Sequence, residues 1–124
     1  MDNKKVLIID DERFFIEPIK MFLEKQGILI VTAEDGITGL NLARSETPDA
    51  IILDLMLPVI NGYQVCRLLK FDNQYRSIPV IIVSAKDTED DRKLGEQSGA
   101  DMYLTKPVDP ADVFKQIQTF FKQS

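Results

Sequence analysis

Four apolar runs in the sequence each end in side chains that could take part in metal or phosphoryl chemistry. The runs read Val-Leu-Ile-Ile, Ala-Ile-Ile-Leu, Val-Ile-Ile-Val and Met-Tyr-Leu-Thr, and they are followed by Asp10-Asp11, Asp54, Ser84 and Lys106, respectively. Such runs predict strands buried on both faces, as in a parallel sheet. Because open α/β sheets bind ligands outside the carboxyl ends of their strands, the sequence predicts three carboxylates, a hydroxyl and an ammonium at one edge.

This predicted set of groups suits a divalent cation and a phosphoryl group. Mg²⁺ binds oxygen ligands, often through one or two carboxylates, and crowded carboxylates favour a cation because they repel one another. A carboxylate such as Asp54 can also attack a phosphoryl group and form an aspartyl phosphate. The transition state then needs positioning and charge neutralisation, which Lys106 could supply. The Ser84 hydroxyl and the Ala85 amide could donate to phosphoryl oxygens.

Each of these residues also has a purely structural interpretation. The acidic run Asp10-Asp11-Glu12 could begin a helix, with one side chain as the N-cap and the others in the first turn. Asp54 could accept hydrogen bonds from loop amides, Ser84 could form a turn, and Lys106 could be solvated. The interpretations are not exclusive, because one aspartate can cap a helix while another binds a metal.

Composition limits the class of protein. A chain of 124 residues that is 44% hydrophobic suits one domain over residues 1–124. Acidic residues outnumber basic ones by 20 to 15, and without a basic cluster we expect no direct binding of nucleic acid. There is no signal pattern and no apolar stretch near the roughly 20 residues of a membrane helix. The single cysteine, Cys66, excludes an internal disulfide. We expect Cys66 to be a small residue of the core. We also expect the protein to be cytoplasmic, because a single cysteine fits a reducing compartment.

Strand patterns alternate with helical patterns along the chain. Strands are predicted at 5–9, 28–32, 50–54, 80–83 and 102–105, and helices at 14–26, 36–46, 63–71, 88–98 and 110–122. This alternation predicts a single α/β domain, a doubly wound (βα)5 flavodoxin-like fold with parallel strand order 2-1-3-4-5. The fourth helix is the most polar of the five.

Five segments in this order resemble the receiver domains of bacterial two-component response regulators. They cover residues 6–12, 48–58, 61–62, 78–86 and 99–107, and therefore extend over nearly the whole chain. The resemblance implies that Asp54 is the phosphoacceptor. It implies that Asp11, Asp54 and the backbone carbonyl of Met56 bind Mg²⁺, or alternatively Mn²⁺, with Asp10 acting through water. It also implies that Lys106 contacts the phosphoryl group and that the Lys106-Pro107 peptide bond is cis.

The resemblance further implies a conformational switch. Ser84 and Tyr103 match the switch hydroxyl and switch aromatic, which change the surface formed by the fourth helix, fifth strand and fifth helix. For Tyr103, ordinary packing on the sheet is the alternative. Met56 and Lys86 match the two positions that flank the phosphoryl group and tune its lifetime.

The implied function is signalling rather than conventional enzyme catalysis, although such a domain catalyses its own phosphorylation and dephosphorylation. Because the chain has no histidine, the donor would be a phosphohistidine on a sensor histidine kinase or a histidine phosphotransfer protein. One alternative is a phosphatase of the haloacid dehalogenase type, which needs a second aspartate where this chain has Met56. Another is a flavodoxin-like cofactor binder, which needs a glycine- or serine-rich phosphate loop where this chain has Asp10-Asp11-Glu12.

The sequence indicates less about the output of the domain than about its site, and it leaves two possibilities for the effector. No effector segment follows the fifth helix within these residues, so we expect either a stand-alone receiver or the receiver portion of a longer regulator with a separate effector. The last helix contains Lys115 and Lys122 but no arginine for the intersubunit ion pairs of the dimeric DNA-binding subfamily. We therefore expect a monomer or a weak, phosphorylation-dependent dimer.

Overall fold

A computed structural model describes residues 4–122, in which five strands alternate with five helices. The strands are β1 (Lys5–Ile9), β2 (Leu29–Ala33), β3 (Ala50–Leu53), β4 (Val80–Ser84) and β5 (Met102–Thr105). The helices are α1 (Arg13–Lys25), α2 (Gly36–Glu46), α3 (Gly62–Lys70), α4 (Glu89–Gln97) and α5 (Pro110–Phe121). Each predicted element is present, with ends within one residue of the predicted ones. None of these helices has the length and apolar character needed to span a bilayer.

All five strands are parallel, and their order is β2-β1-β3-β4-β5. The predicted topology is therefore confirmed. In the register, Ile9 is the partner of both Ala33 in β2 and Leu53 in β3. The residues that follow β1 and β3 consequently emerge side by side at the carboxyl edge of the sheet.

The core has two layers because alternate strand residues face opposite sides of the sheet. Val6 and Ile8 of β1 belong to one buried cluster, which also contains apolar side chains from α1 and α5. Leu7 and Ile9 belong to the other, with apolar side chains from α2 and α3. Cys66 is fully buried in this second layer, as predicted. Burying a leucine or isoleucine side chain contributes about 1.5–3 kcal/mol, so these layers hold the sheet firmly between four helices.

α4 is the exception to this packing. Of its nine residues only Gly95 is buried, and a Cβ atom there would lie 2.9 Å from the Tyr103 ring. The helix ends at Gln97 and turns at Gly99, whose φ of 92° is a left-handed conformation that favours glycine. α4 therefore has less apolar anchorage than its neighbours.

The direction of the chain opens a crevice at the carboxyl edge. After β1 the chain leads to α1, which packs in the first core layer, whereas after β3 it leads to α3, which packs in the second. Because neighbouring strands send their connections to opposite faces, the loops separate above the sheet. Ligands of open α/β sheets bind at such a switch point.

Candidate functional site

Three charged side chains from different parts of the chain meet in this crevice. Asp10 follows β1 and Asp54 follows β3, and both are buried, with exposed fractions of 1% and 4%. Lys106 follows β5, and its Nζ lies 2.8 Å from Asp10 Oδ2 and 3.6 Å from Asp54 Oδ2. The sheet topology thus brings together residues that are up to 96 positions apart in sequence.

In each buried aspartate the two carboxylate oxygens have different partners. Asp10 Oδ1 accepts from the Glu12 amide at 2.8 Å, while Oδ2 accepts from Lys106. Asp54 Oδ1 accepts from the Leu55 amide at 2.8 Å. Its Oδ2 is at an ion-pair distance from Lys106 that is too long for a hydrogen bond. In each aspartate, Oδ1 accepts from a backbone amide, which fits the structural interpretation. The other oxygen, Oδ2, faces the Lys106 ammonium, which fits the chemical interpretation.

Glu12 is a member of this site that the sequence did not reveal. The structural interpretation put it in a helix cap or first turn, and Glu12 is indeed the N-cap residue of α1, but its side chain makes no capping bond. Its carboxylate instead accepts from Lys106 Nζ at 2.7 Å. Oxygen atoms of Asp10, Glu12 and Asp54 lie within 4.8 Å of one another. The acidic run was the available signal, but the contact of Glu12 with Lys106 depends on the three-dimensional position of a residue 94 places further along the chain.

The site has an electrostatic need for positive charge. Burial raises the pKa of Asp10 and the neighbouring Asp54 raises it further, although the hydrogen bonds from Lys106 and the Glu12 amide act in the opposite direction. Burial alone would lower the pKa of Lys106, but its hydrogen bonds to Asp10 and Glu12 and the charge of Asp54 outweigh burial and raise it. The ammonium is thus firmly charged, yet it is shared among three carboxylates.

The donor set fits a hard divalent cation such as Mg²⁺, which prefers carboxylate and carbonyl oxygens. Asp11, Asp54 and Met56 line one open cavity of about 760 Å³. Asp11 is exposed, and among the described residues the three carboxylates found close together are those of Asp10, Glu12 and Asp54. Three of the four predicted ligand residues, Asp11, Asp54 and Met56, therefore line one cavity, which Glu12 also lines.

The predicted switch residues lie on the other side of Asp54. Ser84 is fully buried at the end of β4, and its Oγ accepts from the Lys86 amide at 3.3 Å. Tyr103 is half-buried on β5, and its hydroxyl donates to the Lys86 carbonyl at 2.5 Å. Burial raises the pKa of Tyr103 to about 12. Lys86 thus connects the two residues, and it also lines the cavity with Asp54.

The backbone around Lys106 ties the ammonium to β4. The Lys106 amide donates to the Ser84 carbonyl at 2.8 Å, and the Lys106-Pro107 peptide bond is cis. The ring of Phe15 lies beneath the ammonium, with Nζ 4.3 Å from the ring centroid. Lys106 is therefore positioned by main-chain, ionic and aromatic contacts together.

Comparison with known proteins identifies the family. A sequence profile of the response regulator receiver domain matches residues 6–118. The alkaline phosphatase synthesis transcriptional regulatory protein PhoP of Bacillus subtilis is 39% identical over 98% of this chain and 50% of its own length. Protein PilH of Pseudomonas aeruginosa is 42% identical over 91% of this chain and 93% of its own. The solved receiver domain of the Francisella response regulator 1452 is 34% identical, with a TM-score of 0.89 over 98% of both chains.

The chain spans about half the length of PhoP and of two other curated relatives, but nearly all of PilH. Receiver domains are signalling domains of two-component systems rather than conventional enzymes. They are phosphorylated on an aspartate, and they bind Mg²⁺ at an acidic cluster. Their partners are histidine kinases or phosphotransfer proteins. By its sequence, its strand order and its acidic crevice, this chain belongs to the response regulator receiver domain family.

Proposed function

We propose that Asp54 accepts the phosphoryl group, taking it from the phosphohistidine of a sensor histidine kinase or a histidine phosphotransfer protein. The observation that carries this proposal is the position of Asp54 Oδ2. It belongs to a carboxylate that is 4% exposed, it lies 3.6 Å from the Lys106 ammonium, and its residue lines the open cavity. Of the two buried aspartates, Asp10 has both oxygens hydrogen-bonded, whereas Asp54 keeps Oδ2 for a new bond.

In this reaction, Asp54 Oδ2 attacks phosphorus, the phosphorus–nitrogen bond breaks, and the imidazole of the donor leaves with the bonding electrons. Asp11, Asp54 and the Met56 carbonyl are the proposed direct ligands of Mg²⁺, with Asp10 acting through water. When bound, the ion neutralises charge on the phosphoryl oxygens. The Asp54 carboxylate keeps its orientation because its Oδ1 accepts from the Leu55 amide. The backbone of Asp54 is fixed because its own amide donates to the Ile9 carbonyl at 3.0 Å.

Lys106 is proposed to stabilise the charge that reaches Asp54. Its ammonium is already within 3.6 Å of Asp54 Oδ2, although its short hydrogen bonds are to Asp10 and Glu12. A small displacement would therefore bring it to a phosphoryl oxygen bound at Asp54. Such charge-assisted hydrogen bonds are roughly twice as strong as neutral ones.

The proposed output begins at Ser84. If its hydroxyl turns toward a phosphoryl oxygen, it loses the hydrogen bond that it now accepts from the Lys86 amide at 3.3 Å. The movement also disturbs the backbone carbonyl of Lys86, which accepts the hydrogen bond from the Tyr103 hydroxyl. We infer that Tyr103 then turns inward and that the surface of α4, β5 and α5 changes for a downstream partner. Met56 and Lys86, which both line the cavity, are proposed to tune the lifetime of the phosphoryl group.

The test is the mass of the intact protein after incubation with acetyl phosphate and Mg²⁺. We expect the addition of one phosphoryl group to the wild type and none to Asp54→Asn, because an amide is a poor nucleophile. Asp109→Asn is the matched control, since Asp109 is exposed and its side chain makes no capping bond. Undiminished addition in Asp54→Asn would refute the assignment. Steady turnover of a panel of phosphate esters would instead indicate a phosphatase.

A further inference from the structure

Tyr63, the second residue of α3, connects the cavity beside Asp54 to α4. Its Oη donates a hydrogen bond to the backbone carbonyl of Asp91, 2.9 Å away and 28 residues further along the chain. Tyr63 also lines the cavity that contains Asp54. The sequence indicated only that Tyr63 begins a helix, and the function proposed for the site uses no part of it.

The contact with Asp91 is one of two similar restraints on a short segment. Tyr103 donates to the carbonyl of Lys86, so tyrosine hydroxyls from β5 and α3 hold main-chain carbonyls at the two ends of residues 86–91. That segment contains the β4–α4 loop and the first turn of α4. Its position relative to the sheet therefore depends on both hydroxyls.

The hydrogen bond from Tyr63 bears on the position of α4 and not on the formation of the helix. A capping box supports the helix internally, because the Thr88 and Asp91 side chains each accept from the other residue's amide.

Gly95 is the only buried residue of α4, so polar contacts from outside do much of the positioning. These contacts are the hydrogen bond from Tyr63 at the first turn and those of Arg92, whose Nη2 donates to Thr105 Oγ1 at 2.7 Å and whose guanidinium lies 5.0 Å from the centroid of the Tyr103 ring. Burial and the negative charge of Asp91 raise the pKa of Tyr63 above its ordinary value of 10.0, so the hydroxyl is protonated and able to donate at neutral pH.

We propose that Tyr63 is a positioning residue that holds α4 in its resting place and that its bond to Asp91 must break when the phosphorylated domain rearranges. This inference rests on the function proposed above for Asp54. A hydrogen bond present in only one of two states biases the equilibrium toward that state. A net contribution typical of a neutral hydrogen bond corresponds to a factor of about five. Removing the Tyr63 hydroxyl should therefore favour the activated arrangement.

The first test examines the resting state without phosphate or metal. Amide hydrogen exchange is compared between the wild type, Tyr63→Phe and Tyr75→Phe, the last being a matched removal of a hydroxyl in the α3–β4 connection. We expect exchange in residues 88–98 to be about five-fold faster in Tyr63→Phe alone. Unchanged exchange there would overturn the proposal. A uniform increase over the whole sheet would also overturn it, because that would indicate general destabilisation.

The second test measures the switch itself. The phosphoryl mimic beryllofluoride is titrated with Mg²⁺, and exchange in α4 reports the response. We expect the half-saturating concentration of beryllofluoride to fall about five-fold in Tyr63→Phe and to stay unchanged in Tyr75→Phe. In Tyr63→Phe, none of the binding free energy is needed to break the hydrogen bond to Asp91. An unchanged or higher midpoint in Tyr63→Phe would overturn the proposal.

The two tests distinguish a failure of this inference from a failure of the function proposed for Asp54. If beryllofluoride produced no response in the wild type, or the same response in Asp54→Asn, the assignment of Asp54 would fail. The resting-state comparison would then still decide whether Tyr63 holds α4, because it needs no ligand.

Discussion

The ammonium of Lys106 is closer to Asp10 than to Asp54, with Nζ–Oδ2 distances of 2.8 and 3.6 Å. Glu12 draws it in the same direction, at 2.7 Å. In this state the lysine mainly neutralises Asp10, which is proposed to act on the cation through water, and Glu12, while its distance to the proposed acceptor is longer. A bound cation would take over part of this neutralisation, and Lys106 would then be free to move toward a phosphoryl group on Asp54.

Replacing Lys106 should make the stability of the folded protein depend more strongly on Mg²⁺. In Lys106→Met the buried carboxylate of Asp10 loses its ionic partner, and breaking such a pair costs about 3 kcal/mol of unfolding free energy. We expect excess Mg²⁺ to restore more stability in Lys106→Met than in the wild type, because the ion replaces the missing charge. Denaturant unfolding with and without Mg²⁺ measures both quantities. Lys115→Met, which changes an exposed lysine of α5 in the same way, is the control, and equal Mg²⁺ effects in all three proteins would contradict the prediction.

The proposed metal ligands predict an order of effects on Mg²⁺ affinity. Asp11→Ala should weaken binding most, by at least the roughly 10–100-fold that loss of an outer-shell partner costs. Asp10→Ala should weaken it less, because it acts through water, and Glu12→Gln least. Calorimetric titration with Mg²⁺ or Mn²⁺ measures the affinities, and Glu17→Gln on the exposed side of α1 is the control. An unchanged affinity in the Asp10/Asp11 double variant would remove the metal site from this edge.

The switch predicts a localised response to phosphorylation. With beryllofluoride and Mg²⁺, we expect altered hydrogen exchange at residues 84–98 and 103–106, and little change in α1 and α2, whose buried faces are fixed in the two core layers. Exchange followed by mass spectrometry would locate the changes, and Asp54→Asn is the control. A response spread evenly over the chain would leave Asp54 as a phosphate site without this output.

Tyr103 predicts a high-pH transition. Burial raises its pKa to about 12 from an ordinary value of 10.0, so the folded protein holds this proton more tightly than the unfolded chain does. The corresponding stability is present below pH 10 and is lost as the pH rises through about 12. Ultraviolet absorbance should show a tyrosinate step near pH 12 that Tyr103→Phe removes and Tyr75→Phe leaves in place. A step near pH 12 that persists in Tyr103→Phe would contradict the prediction.

The fold could be predicted from the sequence because its signals are local. Continuous apolar runs mark the buried strands, and breakers such as Gly27, whose φ is 85°, mark the helix ends. The gathering of Asp10, Asp54 and Lys106 followed from the same signals, since parallel strands deliver their ends to one edge.

The features that the sequence did not reveal depend on exact positions in three dimensions. Glu12 is the N-cap residue of α1, yet its carboxylate accepts from Lys106 instead of capping the helix. The bond from Tyr63 to Asp91 depends on the distance between α3 and α4. Gly62 was predicted only as part of a helix start, but a Cβ atom there would collide with the carbonyl oxygen of Asp54. Glycine is therefore required at this point by the close approach of two chain segments.

The sparse anchorage of α4 also bears on how such a domain can diverge. Since eight of its nine residues lie outside the core, substitutions along this helix should seldom destabilise the fold, with Gly95 as the exception because of the Tyr103 ring. The proposed partner surface that includes α4 could therefore acquire new partners by mutation while the crevice at Asp54 stays intact. Such a division allows one phosphorylation chemistry to serve many signalling pathways.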